Sequence, residues 1–453
     1  MGEWKRVKIG DVCTIEKGVT GIVKALPGNY PLVTTGAERK TSIDYQFDTK
    51  AVCIPLVSST GHGKKTLNYV HYQEGTFALG SILSAVVPRD ETILDARYLH
   101  VYLQKNKDRV LVPLMKGAAN VSLSVTAISN IEVPLPSLVE QKKILGKIDS
   151  ISNEHEDFLN ELDVQIDLFG KLRQAVLQEA IEGKLTVEWR TQNPELISGD
   201  NHASKLLEKI KAEKERLIKE GNTSTKLSTR IKKDASRAQS RGKPLAPIAD
   251  AEKPFDLPDG WVWCRLGEIA DGFQYGSSAK SSKSGKVPVL RMGNLQNGSI
   301  DLNNLVYTNN NDEISKYTLR SGDLLFNRTN SRELVGKTAI FNGEDAIYAG
   351  YLVRFHMADK IDAYFTNYVM NSTYHRNWCN TVKADALGQS NINATKLRNY
   401  VLPLIPIKEQ NAIVERVDKL MAMIDELEKQ VSEREEQSEM LMQSVLQEAF
   451  VKE

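Results

Sequence analysis

Cysteine is scarce in this chain. Its four copies, Cys13, Cys53, Cys264 and Cys379, are scattered through 453 residues with no CxxC pair. That spacing argues against a disulfide framework and against a zinc knuckle. Long hydrophobic runs are missing too: no stretch approaches the roughly 18 apolar residues that a membrane-spanning helix needs. The opening Met1-Gly2-Glu3-Trp4-Lys5-Arg6 lacks the apolar core of a secretory signal. Arg6 also stands where a myristoylation motif has Ser or Thr. Net charge is nearly absent, at +1, while 41% of the residues are apolar, a balance that excludes a wholly disordered chain. The length suggests about two to four domains. The expectation is a soluble, cytoplasmic, multidomain protein without a membrane partner.

Catalytic signatures are also lacking. Gly63-Lys64-Lys65-Thr66 resembles the end of a phosphate-binding loop, but position 58, where its first glycine belongs, is Ser. No GxGxxG follows a strand, no HExxH occurs, and no NPPY or DPPY string offers the base-flipping site of a methylase. Asn193-Pro194-Glu195-Leu196 is only superficially like the last of these. Glu3-x-Lys5 and Glu182-x-Lys184 match half of a metal-dependent nuclease signature, a coincidence expected where 26% of residues are charged. The sequence offers no catalytic residues and no metal ligands.

The near-zero charge hides alternation. Residues 1–136 hold 16 basic and 12 acidic side chains, and residues 259–402 hold 16 and 13. Residues 137–220 hold 13 against 17, and residues 408–453 hold 6 against 12. Between the halves, residues 226–243 carry seven basic groups and one acidic. Such a run reads either as a solvated linker or as an arm that touches phosphate.

The chain repeats itself. Residues 133–151, VPLPSLVEQKKILGKIDSI, align with 402–420, LPLIPIKEQNAIVERVDKL, at an offset of 269. In the same register LRQAVLQEA at 172–180 aligns with LMQSVLQEA at 441–449. Fainter matches lie upstream, at an offset of 257. Trp4, Gly10, Gly28, Pro31 and Gly36 correspond to Trp261, Gly267, Gly285, Pro288 and Gly293. Each half therefore reads as a globular block followed by a long helix. The blocks have diverged and the helices have not, which suggests one job for the helices and different targets for the blocks.

The apolar spacing from Leu138 to Glu182 alternates four and three, the seam of a coiled coil. One column is Ile144, Ile151, Phe158, Gln165 and Leu172; the other is Ile148, His155, Leu162, Phe169 and Val176. Shifting by 269 gives Ile413, Leu420, Leu427, Arg434 and Leu441 beside Val417, Ile424, Val431, Ser438 and Val445. Ser137-x-x-Glu140 is a capping box that starts the first helix. Each helix would be about 60–65 Å long, and packing the two together hides both seams. His155 reads as a polar seam residue, with metal ligation as the rival idea. A further amphipathic stretch, Ser204–Glu220, reads as a bracing or docking helix.

Both blocks mix short β-type runs (Ala51–Val57, Val353–His356) with helical stretches (Ala96–Lys105, Ala363–Tyr374), so each reads as α/β. Their loops are rich in the side chains that reach base edges and phosphates, although a solvated loop has the same composition. In the first block the candidates are Thr34, Thr35, Arg39 and Lys40; Ser59, His62, Lys64 and Lys65; and Asn120. In the second they are Gln274, Tyr275 and Ser277; Arg291 and Asn294; Asn327, Arg328, Asn330 and Arg332; and Gln389 and Asn391. The 327–332 loop stands out, because the apolar run Asp323-Leu324-Leu325-Phe326 delivers Asn and Arg to its tip. Those side chains suit adenine and guanine edges respectively.

On these features the chain resembles the specificity subunit of type I restriction-modification systems, over nearly its whole length. The most specific pieces are PLPSLVEQKKILGKID and PLIPIKEQNAIVERVD. LRQAVLQEAIEGKLTVEWR at 172–190, the following NPELISGDNHASKLLEKIKAE, and LPDGWVWCRLGEIA at 257–270 add to them. The resemblance implies an α/β fold with a pseudo-twofold repeat. Target-recognition domains at 1–136 and 259–402 would be held apart by two long antiparallel coiled-coil helices. The central region 137–258 (helices 138–182 and 204–220, basic linker 221–258) would carry the first helix, and residues 403–453 the second. It implies that each domain reads half of a split, asymmetric site on double-stranded DNA. Two methyltransferase subunits would dock on the helices and two restriction subunits would complete the complex. S-adenosylmethionine, ATP and Mg would then belong to those partners and not to this chain, which would be no enzyme. One departure is that the second half has no counterpart to Gly183–Glu220, so the family's ring-like closure would leave that strut single, with the N-terminus nearby. The rival reading is a stand-alone DNA-binding or scaffolding protein with the same fold.

Overall fold

The computed structural model describes residues 4–60, 63–118, 120–221, 245–386 and 388–450. Glu3, His62 and the basic run 226–243 lie outside the described residues. The chain falls into two compact units, residues 1–165 with 430–453, and residues 166–429. Each takes part of both long helices.

The first unit is built on an antiparallel sheet in the order Cys13–Lys17, Leu83–Pro88, Ala51–Pro55, His71–Gln73. Its strand Ala51–Pro55 is apolar at every position and buried on both faces. A second sheet runs Lys40–Ser42, Tyr30–Val33, Thr76–Leu79, Phe47–Asp48, with its middle pair parallel. Leu32, Ile54, Leu79 and Leu83 have no exposed surface, and each contributes about 1.5–3 kcal/mol of burial. Helix Ala96–Val110 covers the core, its start capped by Asp95, whose carboxylate accepts from the backbone N–H of Arg97 and Tyr98.

The second unit repeats the plan. Its main antiparallel sheet runs Ala270–Tyr275, Leu352–Met357, Asp323–Asn327, Thr338–Phe341. Beside it Val287–Leu290 pairs antiparallel with Val306–Thr308 and parallel with Ile347–Tyr348. In both units a short ribbon joins the beginning of the block to its end: Arg6–Lys8 with Glu132–Pro134, and Val262–Arg265 with Val401–Leu404. The helical stretch expected over 363–374 divides into Ala363–Val369 and Thr373–Val382. The Ser372 side chain caps the second of these at the backbone N–H of His375.

The long helices span Leu138–Ile181 and Ile407–Glu448. They run antiparallel within each unit. In the first, His155 Nδ1 lies 2.9 Å from Ser438 Oγ, while Ile144 and Phe450 share a core. In the second, Arg173 reaches Asp425 and Glu428 at 2.6 and 2.8 Å, while Ile181, Ile413 and Val417 share a core.

Of the expected columns, Ile148-His155-Leu162-Phe169-Val176 and Val417-Ile424-Val431-Ser438-Val445 face inward throughout. The other column stays half-buried as far as Gln165 in the first helix, and is covered only as far as Leu420 in the second. By Leu172, Leu427 and Leu441 it has turned to solvent, and the next residues, Arg173, Glu428 and Met442, take its place. A heptad column on a straight helix drifts by about 20° per repeat. Four repeats therefore carry it most of the 100° that separates neighbouring residues.

The first helix stops at Gly183, whose φ of 73° is left-handed, a standard glycine terminus. A side chain there would also meet Pro258 Cγ at 2.6 Å. The chain then forms helix Ala203–Gly221, which braces the second unit. Ala203, Leu206 and Ile210 are buried, and Lys211 and Lys214 pair with Glu268 and Asp271.

Candidate DNA-interaction surfaces

The recurring Glu-Gln pair shows how each block is fixed to its helix. Gln141 is fully buried: its Oε1 accepts from Asp95 N at 2.8 Å, and its Nε2 donates to Ile93 O and Pro136 O. Gln410 does the same in the second unit, accepting from Asp362 N at 2.7 Å and donating to Ile405 O. Both glutamines thus hold the residue that caps the block's own helix. The recurring aspartates work alongside, Asp149 on Arg97 at 2.7 Å and Asp418 on the Tyr368 hydroxyl. The glutamates part company. Glu140 closes the expected capping box with Ser137. Glu409 follows Pro406 instead, and is fully buried among Arg190 Nη1 at 2.6 Å, Thr186 Oγ1 at 2.8 Å and Trp261 Nε1 at 2.7 Å. Sequence reasoning noticed Trp261 as a repeat but missed its partner, although the Pro-for-Ser change at the cap was the available signal.

In the first unit two of the candidate loops meet. Ser58 N donates to Val121 O, and Lys116 exchanges backbone bonds with Ser122. A side chain at Gly63 would strike the carbonyl of Ala118 at 2.3 Å. Lys64, Lys65 and Asn120 are exposed on this double loop, while Ser59 Oγ is taken by Asn68 N. The 34–40 loop lies apart from it in sequence, and its side chains are largely committed. Thr34 is buried, with its hydroxyl on Gly36 N. Arg39 spends its guanidinium on Gln73 Oε1, Tyr72 O and His71 Nδ1 at 3.0–3.2 Å. Burial, and then the charge of Arg39, pushes the His71 imidazole down to about 4, so it is neutral at pH 7. Thr35 is half-buried and Lys40 exposed.

The second unit gathers more of its candidates. The short strand Thr329–Asn330 pairs with Gln389–Asn391, which pairs in turn with Ala384–Ala386. Asn391 Nδ2 donates to Thr329 Oγ1 at 2.7 Å. The Arg328 guanidinium lies over the Tyr275 ring at 4.5 Å, and the Tyr275 hydroxyl accepts from Ala394 N at 3.0 Å. Arg332 and Gln389 are exposed beside them, with Asp385 3.9 Å from Arg332. This β-ribbon therefore brings Tyr275, Arg328, Asn330, Arg332, Gln389 and Asn391 into one neighbourhood, with Gln389 and Asn391 on one face of the ribbon and Asn330 on the other.

Other candidates are scaffolding in this fold. Gln274 bonds to the Tyr348 hydroxyl, Ser277 is buried against Glu313, and buried Asn294 donates to Asp301 O and Asn303 O. Arg291 is exposed and anchored on Asn304 O. Asn327 is the exception in kind: it is fully buried and neither amide atom has a hydrogen-bond partner. Asp323–Asn327 is a central strand covered on both faces, so its last residue is delivered into the core rather than to the loop tip.

Among the described residues no helix is long and apolar enough to cross a membrane, and no group of three or more His, Cys, Asp or Glu is placed to hold a metal ion. The family of the type I restriction modification DNA specificity domain matches residues 1–167 and 258–436, one copy for each half of the repeat. The chain is 25% identical over 451 residues to the Escherichia coli type I restriction enzyme EcoDI specificity subunit, covering 99% of this chain and 88% of that protein. Its identity to the EcoKI specificity subunit of Escherichia coli K12 is 24% over 372 residues, covering 80% of this chain and 67% of the relative. Other specificity subunits are matched over as little as 26% of their length. A chain from a structure of type I restriction-modification complex assembly and conformational transition shares the fold, with a TM-score of 0.55 at 16% identity, over 99% of this chain and 97% of that one. Two diverged blocks on one plan, each fixed by a recurring glutamine to a long helix, are matched by that family in both halves, and the chain belongs to it: a non-catalytic specificity subunit of the type I restriction-modification kind.

Proposed function

We propose that each unit reads one half of a bipartite, asymmetric site on double-stranded DNA, and that the long helices set the gap and dock two methyltransferase subunits. The observation that carries this reading is the unequal divergence. The glutamine and aspartate anchors recur at fixed offset, while the loops they support differ in length, charge and internal bonding. A protein that needed one target twice would keep its loops alike. In this reading the ribbon around Arg328 and Asn391 faces the second half-site, and the 58–66 and 116–122 double loop faces the first. Arg and Asn side chains there would supply bidentate contacts to guanine and adenine. The half-sites would lie about one helical turn apart. Adenine methylation from S-adenosylmethionine, and ATP- and Mg-dependent work by two restriction subunits, belong to the partners, in the cytoplasm.

The test is to co-express the chain with an adenine methyltransferase subunit in a methylation-free host and map N6-methyladenine by long-read sequencing. Two short half-sites with a fixed gap are expected. Methylation on an undivided motif would contradict the two-reader arrangement. DNA binding that persists with no methyltransferase complex would favour the stand-alone binder.

A further inference from the structure

The two units share a strand plan but not a crossing loop. In each, a loop leaves the strand Cys13–Lys17 or Ala270–Tyr275 and enters the next strand just after Gly28 or Gly285. Both glycines press against a neighbouring segment: a side chain would stand 2.5 Å from Ile43 Cα at the first and 2.8 Å from Tyr307 Cβ at the second. Between these fixed ends the chemistry differs. The first loop reads VTGIVKALP at 19–27 and exposes Val19, Val23 and Leu26 by 74, 96 and 63%. The second reads SSAKSSKSGK at 277–286, with no acidic residue, and every position from 278 to 286 is exposed.

The backbone of the second loop is nevertheless held in place. Ser282 and Tyr307 exchange backbone bonds at 2.8 and 2.9 Å, Ala279 N donates to Ser277 Oγ, and Lys286 N donates to Asn309 Oδ1. Lys280, Lys283 and Lys286 form no ion pair with a described residue. Of the nearby acids, Glu313 is bonded to Ser277, and Asp312 sits beside it on the short helix Asn311–Tyr317. The loop begins two residues after Tyr275, whose ring supports Arg328, so it springs from the surface that carries the reading ribbon. Three unpaired ammonium groups with serine hydroxyls between them make a surface for a row of phosphates. They carry no fork for a base edge, since lysine acts as a point charge.

We propose that residues 278–286 grip the DNA phosphate backbone beside the half-site read by the second unit, and that the corresponding loop of the first unit, 19–27, has no such grip. The proposal rests on the reading of the chain as a DNA-recognition subunit. Each phosphate neutralised steepens the fall of log affinity with log salt by about 0.9.

The experiment uses the assembled complex with methyltransferase subunits and a fluorescent duplex carrying the mapped site, titrated at several salt concentrations. Joint replacement Lys280→Gln, Lys283→Gln, Lys286→Gln should make the slope shallower by between about 2 and 3 and leave the methylated motif unchanged. The corresponding Lys→Arg set should restore the slope, and Lys24→Gln should shift it by no more than about one. An unchanged slope in the glutamine set, with the split motif intact, overturns the grip and leaves the parent reading standing. A changed motif overturns it as well, by making the loop a base reader. A wild-type complex that binds no duplex overturns both.

Discussion

Asn327 shows best what a single buried side chain contributes here. A carboxamide with no partner loses its hydration and gains nothing in return, a cost of about 1–3 kcal/mol. Asn327→Leu should therefore raise the stability of the second unit by about 1 kcal/mol, measured by urea unfolding, and leave the recognised sequence unchanged. A change in the second half-site would instead give Asn327 a direct part in reading. Arg328 is the opposite case, half-buried and posed on Tyr275. Tyr275→Leu should loosen discrimination in the second half-site only, as read from the methylated motif. Uniform weakening without a change of motif would mark Arg328 as a phosphate contact.

Two buried histidines give the fold an acid limit. His375 is held down to about 3 by burial, and His71 to about 4 by burial and Arg39. Both are neutral in the native protein and become protonated near 6.5 once unfolded. The unfolded chain thus binds more protons below that value, and stability falls as pH drops from about 6.5 toward 4, by up to about 1.4 kcal/mol per pH unit for each histidine. Urea midpoints at pH 7 and pH 5 should show this loss. His375→Phe should flatten the slope for the second unit, and an equal slope in that variant would assign the acid sensitivity elsewhere.

Among the elements, the long helices were the most legible. A four-and-three spacing over more than forty residues leaves little else for a sequence to do, and the capping box at Ser137 and Glu140 formed as its spacing indicates. The inward face was half legible. Sequence columns are drawn at 3.5 residues per turn, and a straight helix keeps 3.6, so one column slid by a residue before either helix ended. The socket around Glu409 was not legible, because its parts come from residues 186, 190, 261 and 409 and meet only in the folded chain. Removing one member of a buried ion pair costs about 3–5 kcal/mol, so Glu409→Ala should destabilise the second unit by about that amount. Glu140→Ala, which loses a helix cap, should cost nearer 1 kcal/mol. Equal losses in urea unfolding would contradict the different surroundings of the two glutamates. A four-residue insertion in both long helices adds about 6 Å, and should widen the gap in the methylated motif while both half-sites stay as they were.

For the molecule as a whole, the repeat was legible in the anchors and faint in the blocks. Gln141 and Gln410 recur because each must bond both a helix cap and its own turn. Loop residues are free of that constraint, so alignment fades where specificity would reside. For the same reason composition marked the loops well and their individual side chains poorly. Thr34, Ser277, Asn294 and Asn327 look like readers in sequence, yet lie buried because neighbouring strands close over them. Lys280, Lys283 and Lys286 passed unremarked because a lysine-serine loop is the ordinary composition of a solvated one.

The central claim is that recognition is divided, one half-site to each unit. The most direct test maps N6-methyladenine in hosts carrying the methyltransferase subunit with either the wild-type chain or a chain with Arg332→Ala and Asn391→Ala. The account predicts a split motif for the wild type, and for the variant a motif degenerate in one half and intact in the other across the same gap. Degeneracy spread over both halves, or an undivided motif in the wild type, would contradict it.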